Sequence, residues 1–270
     1  MAFQMKYQIT QRHLTAPSKR RRGIVMSPGV RFIVAHDTGN PSSTAAANVR
    51  YYERSRDEMS ASAHIFVDDK EIIECIPALE STPPEKAWHV VYSSPVDNQL
   101  FGFDANDAAI GIEYCYGVRI DADEAYRKYV WVLAYACHKH ALDPRRQVVG
   151  HFFLDPQRKT DPVTGLAHSR RGYEQLLKDV AIEHDQCAGI SPELTDFGVS
   201  LQAGTGTATV RLNIRKGAPS TRSPVHQVVP RGAQLSFAGS TNIGEAINGN
   251  STWYADGKGN FFWSGAVQPA

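Results

Sequence analysis

The most constraining feature of this 270-residue sequence is a change of pattern after Cys187. Before this point, segments with helical spacing of apolar residues alternate with short strand-like runs; further on, helical spacing disappears. The intervening stretch is rich in Gly, Ser, Thr and Pro, which is typical of a linker. The sequence therefore predicts two domains, residues 1–187 and residues 207–270, joined by a linker over residues 188–206.

The first domain mixes both kinds of element. Strands are predicted over residues 31–35, 63–67, 71–76 and 108–116, and the second and third of these form a hairpin around Asp68-Asp69-Lys70. Helices are predicted over residues 42–54, 124–140 and 173–183 from the spacing of apolar residues and from capping and stop residues. The predicted fold class is α/β, with a central mixed β-sheet flanked by helices.

The second domain has only strand signals. Short alternating runs at residues 208–212, 225–229, 234–237 and 261–264 are separated by Gly, Pro and Asn turns. About sixty residues with this pattern predict a small all-β barrel or sandwich.

Charge and hydropathy exclude several classes of partner. Twenty-nine basic and twenty-eight acidic residues leave a net charge of +1, which gives no field to hold nucleic acid or an anionic membrane. The basic run at residues 19–22 is expected to be a solvated turn. No segment approaches the roughly twenty apolar residues that span a bilayer, and the start MAFQMKYQIT lacks the apolar core of a signal peptide. We expect synthesis in the cytoplasm, no nucleic-acid or membrane partner, and a monomer.

Ten histidines are candidates for chemistry. His36, His64 and His151 lie within or at the ends of strand-like runs, although a lone histidine there is more often a hydrogen-bonded core residue than a ligand. The segment HFFLDPQRKTD suits a loop that doubles back so that His151 and Asp161 meet. Two neutral imidazoles, with His36 as the second, and one carboxylate would leave the fourth tetrahedral position of Zn²⁺ open, as in catalytic sites.

Five ordered blocks carry a resemblance. RFIVAHDTGNP, SAHIFVDD, KAWHV, AIGIEYC and VVGHFFLDPQRKTDP together resemble the zinc-dependent N-acetylmuramoyl-L-alanine amidases. This family includes phage endolysins, the cytoplasmic muropeptide-recycling amidase and the animal peptidoglycan recognition proteins. The resemblance covers residues 26–183 and implies the mixed-sheet fold of that family.

The resemblance also implies roles for particular residues. His36, His151 and Asp161 fall on the zinc ligands, Glu113 on the acidic residue that positions and deprotonates water, and Lys159 on the cation that stabilises the oxyanion. The substrate-groove positions fall on His64, His89, Asn40 and Trp88, and for His64 and His89 a plain structural hydrogen bond is the alternative. Taken singly, Glu113 would be interpreted as a surface carboxylate and Lys159 as a solvated loop lysine.

Two departures from the family pattern are visible. Ala63 stands where some members carry a tyrosine, so no tyrosine can assist catalysis there. The sequence Asp161-Pro162-Val163 replaces the DPG of many members, which predicts a different turn after the ligand.

The tail has a weaker resemblance of its own, over residues 207–267, to bacterial SH3-like domains attached to cell-wall hydrolases. This implies a wall-binding module, with Trp253, Tyr254, Phe262 and Trp263 either contacting the wall or filling the core of a small barrel.

The resemblance implies hydrolysis of the amide between N-acetylmuramic acid and L-alanine in peptidoglycan, with a zinc-activated water. A phage or prophage endolysin that acts on the wall after release is the favoured hypothesis, and a delivered toxin is a variant of it. A recycling amidase for soluble muropeptides and a non-catalytic peptidoglycan-binding protein are the alternatives. The tail argues against the former, and the intact set of ligands and catalytic residues argues against the latter.

Overall fold

The computed structural model describes residues 3–189 and 197–270. Among these, residues 4–184 form one compact unit, here called the N-terminal unit; Phe3, residues 185–189 and residues 197–270 form the C-terminal unit. The predicted linker lies partly on residues 190–196, outside the described residues. Its predicted end is wrong, because a strand already begins at Ser200.

The N-terminal unit contains a six-stranded mixed sheet with the order β1-β4-β3-β5-β2-β6. Strands β3 and β4 pair antiparallel, as the predicted hairpin requires, and the other neighbouring pairs are parallel. The strands are β1 (Ile9–Gln11), β2 (Phe32–Asp37), β3 (Ile65–Val67), β4 (Ile72–Glu74), β5 (Ala109–Tyr114) and β6 (Val148–Gly150). Strand β1 has no counterpart in the sequence prediction.

All six residues of β2 are buried, which is the pattern of a strand covered on both faces. Helix α4 packs against β2, β3 and β5, and α1 packs against β3 and β4. The helices are α1 (Ala45–Arg54), α2 (Val96–Phe101), α3 (Ala105–Ala108), α4 (Ala122–Lys139), α5 (His151–Leu154), α6 (Val163–His168) and α7 (Tyr173–Cys187). None of the described helices is both long and apolar enough to cross a membrane.

Side-chain caps explain where the two best-predicted helices begin. The hydroxyl of Thr44 accepts a hydrogen bond from the backbone N–H of Ala47, and α1 starts immediately after Thr44. The Asp121 carboxylate accepts from the N–H groups of Asp123 and Glu124 and caps α4. The predicted helix starts differ from these by two or three residues. The short helices α2, α3, α5 and α6 were not predicted, because they lack a repeated apolar period.

The basic run at residues 19–22 is only partly the solvated turn that the sequence predicts: Lys19 and Arg22 are exposed, but Arg20 is not. Arg20 is only 1% exposed. Its guanidinium lies over the Tyr52 ring, 4.1 Å from the centroid, and donates hydrogen bonds to the hydroxyl of Ser55 and the carbonyl of Ala61. These partners are at least 32 positions away along the chain, so local charge patterning could not reveal them.

The C-terminal unit is a seven-stranded sheet with the order β13-β7-β10-β11-β12-β8-β9, and its strand pairs are antiparallel. The strands are β7 (Ser200–Ala208), β8 (Leu212–Lys216), β9 (Val225–Val229), β10 (Gln234–Thr241), β11 (Trp253–Ala255), β12 (Asn260–Trp263) and β13 (Val267–Pro269). Residues 197–270 of this unit are therefore all-β apart from a 3₁₀ turn at Ser264–Ala266, in agreement with the absence of helical spacing there.

Candidate metal centre

Three neighbouring parallel strands bring the central side chains of the site together. His36 lies near the carboxyl end of β2, directly opposite Glu113 of β5 in the register. His151 is the first residue after β6, which pairs with the other side of β2. In open α/β sheets, ligand sites form at the carboxyl ends of the strands, so strand order alone places these three residues at one edge.

Asp161 reaches this edge through a loop that doubles back, as the sequence predicts. The backbone N–H of Phe152 donates to the carbonyl of Asp161 over 2.9 Å, which closes the loop directly beside His151. On the far side, the backbone N–H of Gly165 donates to Oδ2 of Asp37 over 2.7 Å. Asp37 thus ties the start of α6 to the end of β2 and fixes the turn that follows Asp161.

The side chains of His36, His151 and Asp161 meet at one point. Oδ2 of Asp161 lies 2.9 Å from Nδ1 of His36 and 3.0 Å from Nδ1 of His151. One ligand atom from each residue falls within 4.8 Å of the others, and no second group of this kind occurs in the described residues. Both imidazoles are 2% exposed.

The protonation states suit a cation. Burial lowers the pKa of His36 to about 4, against the opposing effect of its hydrogen bond with Asp161. Burial alone would raise the pKa of Asp161, but the hydrogen bonds with His151 and His36 hold it well below its usual range. At neutral pH, His36 is therefore a neutral imidazole and Asp161 a carboxylate, the forms in which these groups bind a metal ion.

The donor set fits Zn²⁺. Two imidazole nitrogens and one carboxylate oxygen are ligands that zinc accepts, and three protein ligands leave a fourth position for water or substrate, as in catalytic zinc sites. His36, His151 and Asp161 are the residues that would hold the ion.

The three side chains lie in a cleft of about 510 Å³. Four buried side-chain atoms in the described residues have no hydrogen-bond partner within the protein, and three of these belong to residues that line this cleft: Thr38 Oγ1, Glu113 Oε2 and His151 Nε2. Buried polar atoms are nearly always paired. Their concentration at one cleft indicates that a ligand completes the hydrogen bonding there.

The structure places both predicted catalytic residues at this cleft. Glu113 is partly buried, and burial, followed by the negative charges of Asp161 and Asp37, raises its pKa well above the usual value. A carboxyl group with a raised pKa is a stronger base than an ordinary carboxylate, which suits a group that takes up a proton during a reaction. Lys159 is exposed at the rim of the cleft.

The four predicted substrate-groove residues have different positions. His64 makes the structural hydrogen bonds that were the alternative to a groove role: its side chain is 0% exposed and its ring is held by backbone groups. Its Nε2–H donates to the carbonyl of Glu85, and its Nδ1 accepts from the N–H of Gly111.

Of the other three residues, His89 and Trp88 line the cleft and Asn40 does not. His89 lines the cleft but lies behind His36, with its Nδ1 2.9 Å from Nε2 of His36. Trp88 is half-buried in the cleft wall, under the guanidinium of Arg22 at 4.6 Å from the ring centroid. Asn40 is exposed beyond the residues that line the cleft, and its role stays a prediction.

Two supporting residues were missed by sequence reasoning. Asp37 directly follows the candidate ligand His36, and this position in AHDTG is the only sequence feature that could have indicated its supporting role. Tyr129 of α4 donates its phenolic hydrogen to the carbonyl of His36 over 2.9 Å and so fixes the backbone of the ligand from behind. Its place in the apolar stripe of α4 marked it as core, which is correct, but gave no sign of this contact.

The fold and the site together define an α/β protein with a candidate metal site of two histidines and one aspartate at the carboxyl edge of its sheet. The sequence profile of the N-acetylmuramoyl-L-alanine amidase family matches residues 26–164, just over half of the chain, and the chain belongs to this family. The amidase BlyA of Bacillus subtilis strain 168 is 30% identical over 156 residues. That match covers 53% of this chain and 39% of BlyA, so the chain spans about two fifths of the curated relative.

Solved structures show the same fold. The catalytic domain of XlyA superimposes with a TM-score of 0.50 at 23% identity, over 64% of this chain and 99% of that one. The Staphylococcus aureus hydrolase AmiA, solved in complex with its ligand, gives a TM-score of 0.52 at 21% identity, over 67% of this chain and 85% of that one. At these identities the likeness concerns the fold.

Proposed function

We propose that this protein is a zinc-dependent peptidoglycan hydrolase that cleaves the amide between N-acetylmuramic acid and L-alanine. The observation that carries the proposal is the meeting of His36, His151 and Asp161 at the cleft. Membership of the amidase family supports the choice of bond. When bound, zinc supplies Lewis acidity and lowers the pKa of a water molecule towards neutrality.

Residues of the chain then transfer protons and stabilise the charge that develops during the reaction. Glu113 accepts the proton of the attacking water at its carboxylate, since Oε2 has no partner within the protein. Lys159 at the rim provides positive charge where the carbonyl oxygen becomes negative. Glu113 can afterwards return the proton to the nitrogen of the departing L-alanine, so that the peptide leaves as a neutral amine.

We further propose that the C-terminal unit is an SH3-like module that holds the enzyme on the cell wall, and that the whole protein works as a phage or prophage endolysin. A small antiparallel sheet following an amidase domain supports this arrangement. A second attachment raises the effective concentration of enzyme at an insoluble substrate. A recycling amidase for soluble muropeptides would gain little from it.

The test is digestion of purified peptidoglycan by the zinc-loaded protein, with mass analysis of the products. We expect stem peptides with new L-alanine amino termini and glycan strands that stay intact. Asp161→Ala, which removes one of three ligands, should release no product and bind no zinc, whereas Asp179→Ala, outside the cleft, should behave as the wild type.

Other results would redirect the proposal. Released reducing sugars would mean a glycosidase, and cuts within the stem peptide would mean a peptidase. Cleavage of soluble muropeptides but not of intact walls would favour the recycling enzyme. Wall binding without any cleavage would favour a non-catalytic binding protein.

A further inference from the structure

His89 links the metal centre to the backbone of the central sheet. Its Nε2 lies 3.2 Å from the carbonyl oxygen of Ala109, at the start of β5. Its Nδ1 lies 2.9 Å from Nε2 of His36. The other nitrogen of His36, Nδ1, faces Asp161. Two imidazoles therefore stand in series between a backbone carbonyl and the metal centre.

The direction of each hydrogen bond follows from the carbonyl. A carbonyl oxygen can only accept, so Nε2 of His89 carries a hydrogen and donates it. His89 is 9% exposed, and none of its hydrogen bonds in the described residues involves a carboxylate. A charged imidazolium would be costly there, so Nδ1 of His89 is an acceptor. Without a metal ion, Nδ1 of His36 donates to the carboxylate of Asp161. With an ion bound, Nδ1 would be a ligand instead of a donor, and Nε2 of His36 would then carry the hydrogen and donate it to Nδ1 of His89.

The fold is shaped to hold this ring. Gly111 in β5 leaves room for it: a Cβ at this position would lie 2.8 Å from both Cγ and Nδ1 of His89. The backbone N–H of His89 donates to Oδ1 of Asn106 over 2.8 Å. The His89 ring meets that of His36 edge to face, with centroids 5.1 Å apart.

We propose that His89 is a positioning residue that sets the tautomer of His36, so that Nδ1 presents its lone pair to the metal. The inference rests on the metal site proposed above. Hydrogen-bond partners of ligating histidines typically contribute a factor of 10 to 100 in metal affinity, and His89 would supply that contribution here.

The test is the Zn²⁺ affinity of the full-length protein, measured by competition with a chromophoric chelator. Two near-isosteric variants separate hydrogen bonding from packing. Asparagine in His89→Asn can place its amide oxygen near the position of Nδ1 and accept from His36. Glutamine in His89→Gln can reach the carbonyl of Ala109 but has only a methylene near that position. We expect a loss of about 10- to 100-fold in affinity for glutamine and recovery of most of it for asparagine.

A second route reaches the same bond without changing the histidine. Gly111→Ala should push the His89 ring away and lower zinc affinity in the same direction. His64→Asn is the matched control, because His64 is also a buried histidine but is hydrogen bonded only to backbone groups. Thermal unfolding of each metal-free variant shows whether it is folded.

The outcomes distinguish the positioning role of His89 from the existence of the metal site itself. If the wild type binds Zn²⁺ tightly and His89→Gln binds it equally well, the positioning role is overturned while the metal site stands. Equal losses for glutamine and asparagine would show that packing, not the acceptor, matters, and would also overturn it. If His36→Ala binds Zn²⁺ as well as the wild type, the proposed metal site is wrong, and so is the positioning role of His89.

Discussion

The N-terminal unit buries polar side chains where its sheet ends, whereas the C-terminal unit buries almost only apolar ones. In residues 197–270, Thr241 and Asn260 are the only buried polar side chains, and each is hydrogen bonded within the protein. At the cleft of the N-terminal unit, by contrast, Thr38, Glu113 and His151 each keep a buried atom without a partner.

This difference indicates where each unit can act. Burying an unpaired polar atom costs free energy, so a cluster of such atoms points to a site whose ligand pays that cost. The described part of the C-terminal unit has no such cluster. Two of the four aromatic residues suggested as wall contacts, Trp253 and Phe262, are in fact core, at 2% and 1% exposed.

The largest expected effect is on the free energy of unfolding of the C-terminal unit, when a large side chain is removed from its core. Trp253 packs with Ala255 and Phe261, and its indole N–H donates to the carbonyl of Glu245. Trp253→Ala should cost about 3–5 kcal/mol, much of the total stability of about seventy residues. Hydrogen-exchange mass spectrometry should show loss of protection in β10–β12.

The same variant tests whether hydrolysis depends on the N-terminal unit and wall binding on the C-terminal unit. Hydrolysis of a soluble muropeptide should continue at the wild-type rate, while pull-down on intact walls should fall. Ile243→Ala, at a residue that is 63% exposed, is the control and should change stability by less than about 0.5 kcal/mol. Undiminished wall binding by an unfolded C-terminal unit would contradict the anchoring role.

The next largest expected effect is on the rate of hydrolysis, when the proposed base Glu113 is replaced. Glu113→Gln keeps the shape of the side chain but removes the proton acceptor, so the rate should fall by roughly 10²-fold or more. Zinc content should be unchanged, because Glu113 is not among the three ligand residues. Glu124→Gln, in the first turn of α4 and outside the residues that line the cleft, is the matched control. Near wild-type turnover in Glu113→Gln with zinc retained would assign the base elsewhere.

The parts of the site that the sequence predicts are those that local rules determine. His36 and His151 stand at the ends of apolar runs, and parallel strands bring such ends to one edge. Asp161 follows from the short loop after His151. The resemblance to a family added the roles of Glu113 and Lys159, which no spacing rule would have distinguished from surface residues.

What the sequence does not predict depends on distant partners. Arg20 looks solvated beside its basic neighbours, yet Tyr52 and Ser55 bury it. His64 and His89 have similar sequence surroundings and were given the same role, but the structure separates them. One is held by two backbone groups, and the other contacts a ligand. Only the pairing of strands and loops distinguishes them.

The smallest expected effect is a difference in pH dependence between the units. Burial lowers the pKa of His64 from 6.5 to about 4. Between these values the unfolded chain binds a proton that the folded chain does not, so stability falls as the pH falls through this window. One such group changes the free energy of unfolding by at most about 1.4 kcal/mol per pH unit. In the described part of the C-terminal unit, the one histidine, His226, is exposed.

Urea unfolding at pH 7, 6 and 5, followed by hydrogen exchange in peptides from each unit, measures this difference. Glu113 and Asp104, whose pKa values are raised chiefly by burial, act in the opposite direction, so the contribution of His64 must be isolated by substitution. His64→Gln should reduce the pH slope of the N-terminal unit by about one proton, whatever it does to the absolute stability. His226→Gln should leave the slope of the C-terminal unit as it is. An unchanged slope in His64→Gln would mean that this histidine titrates alike in the folded and unfolded chains.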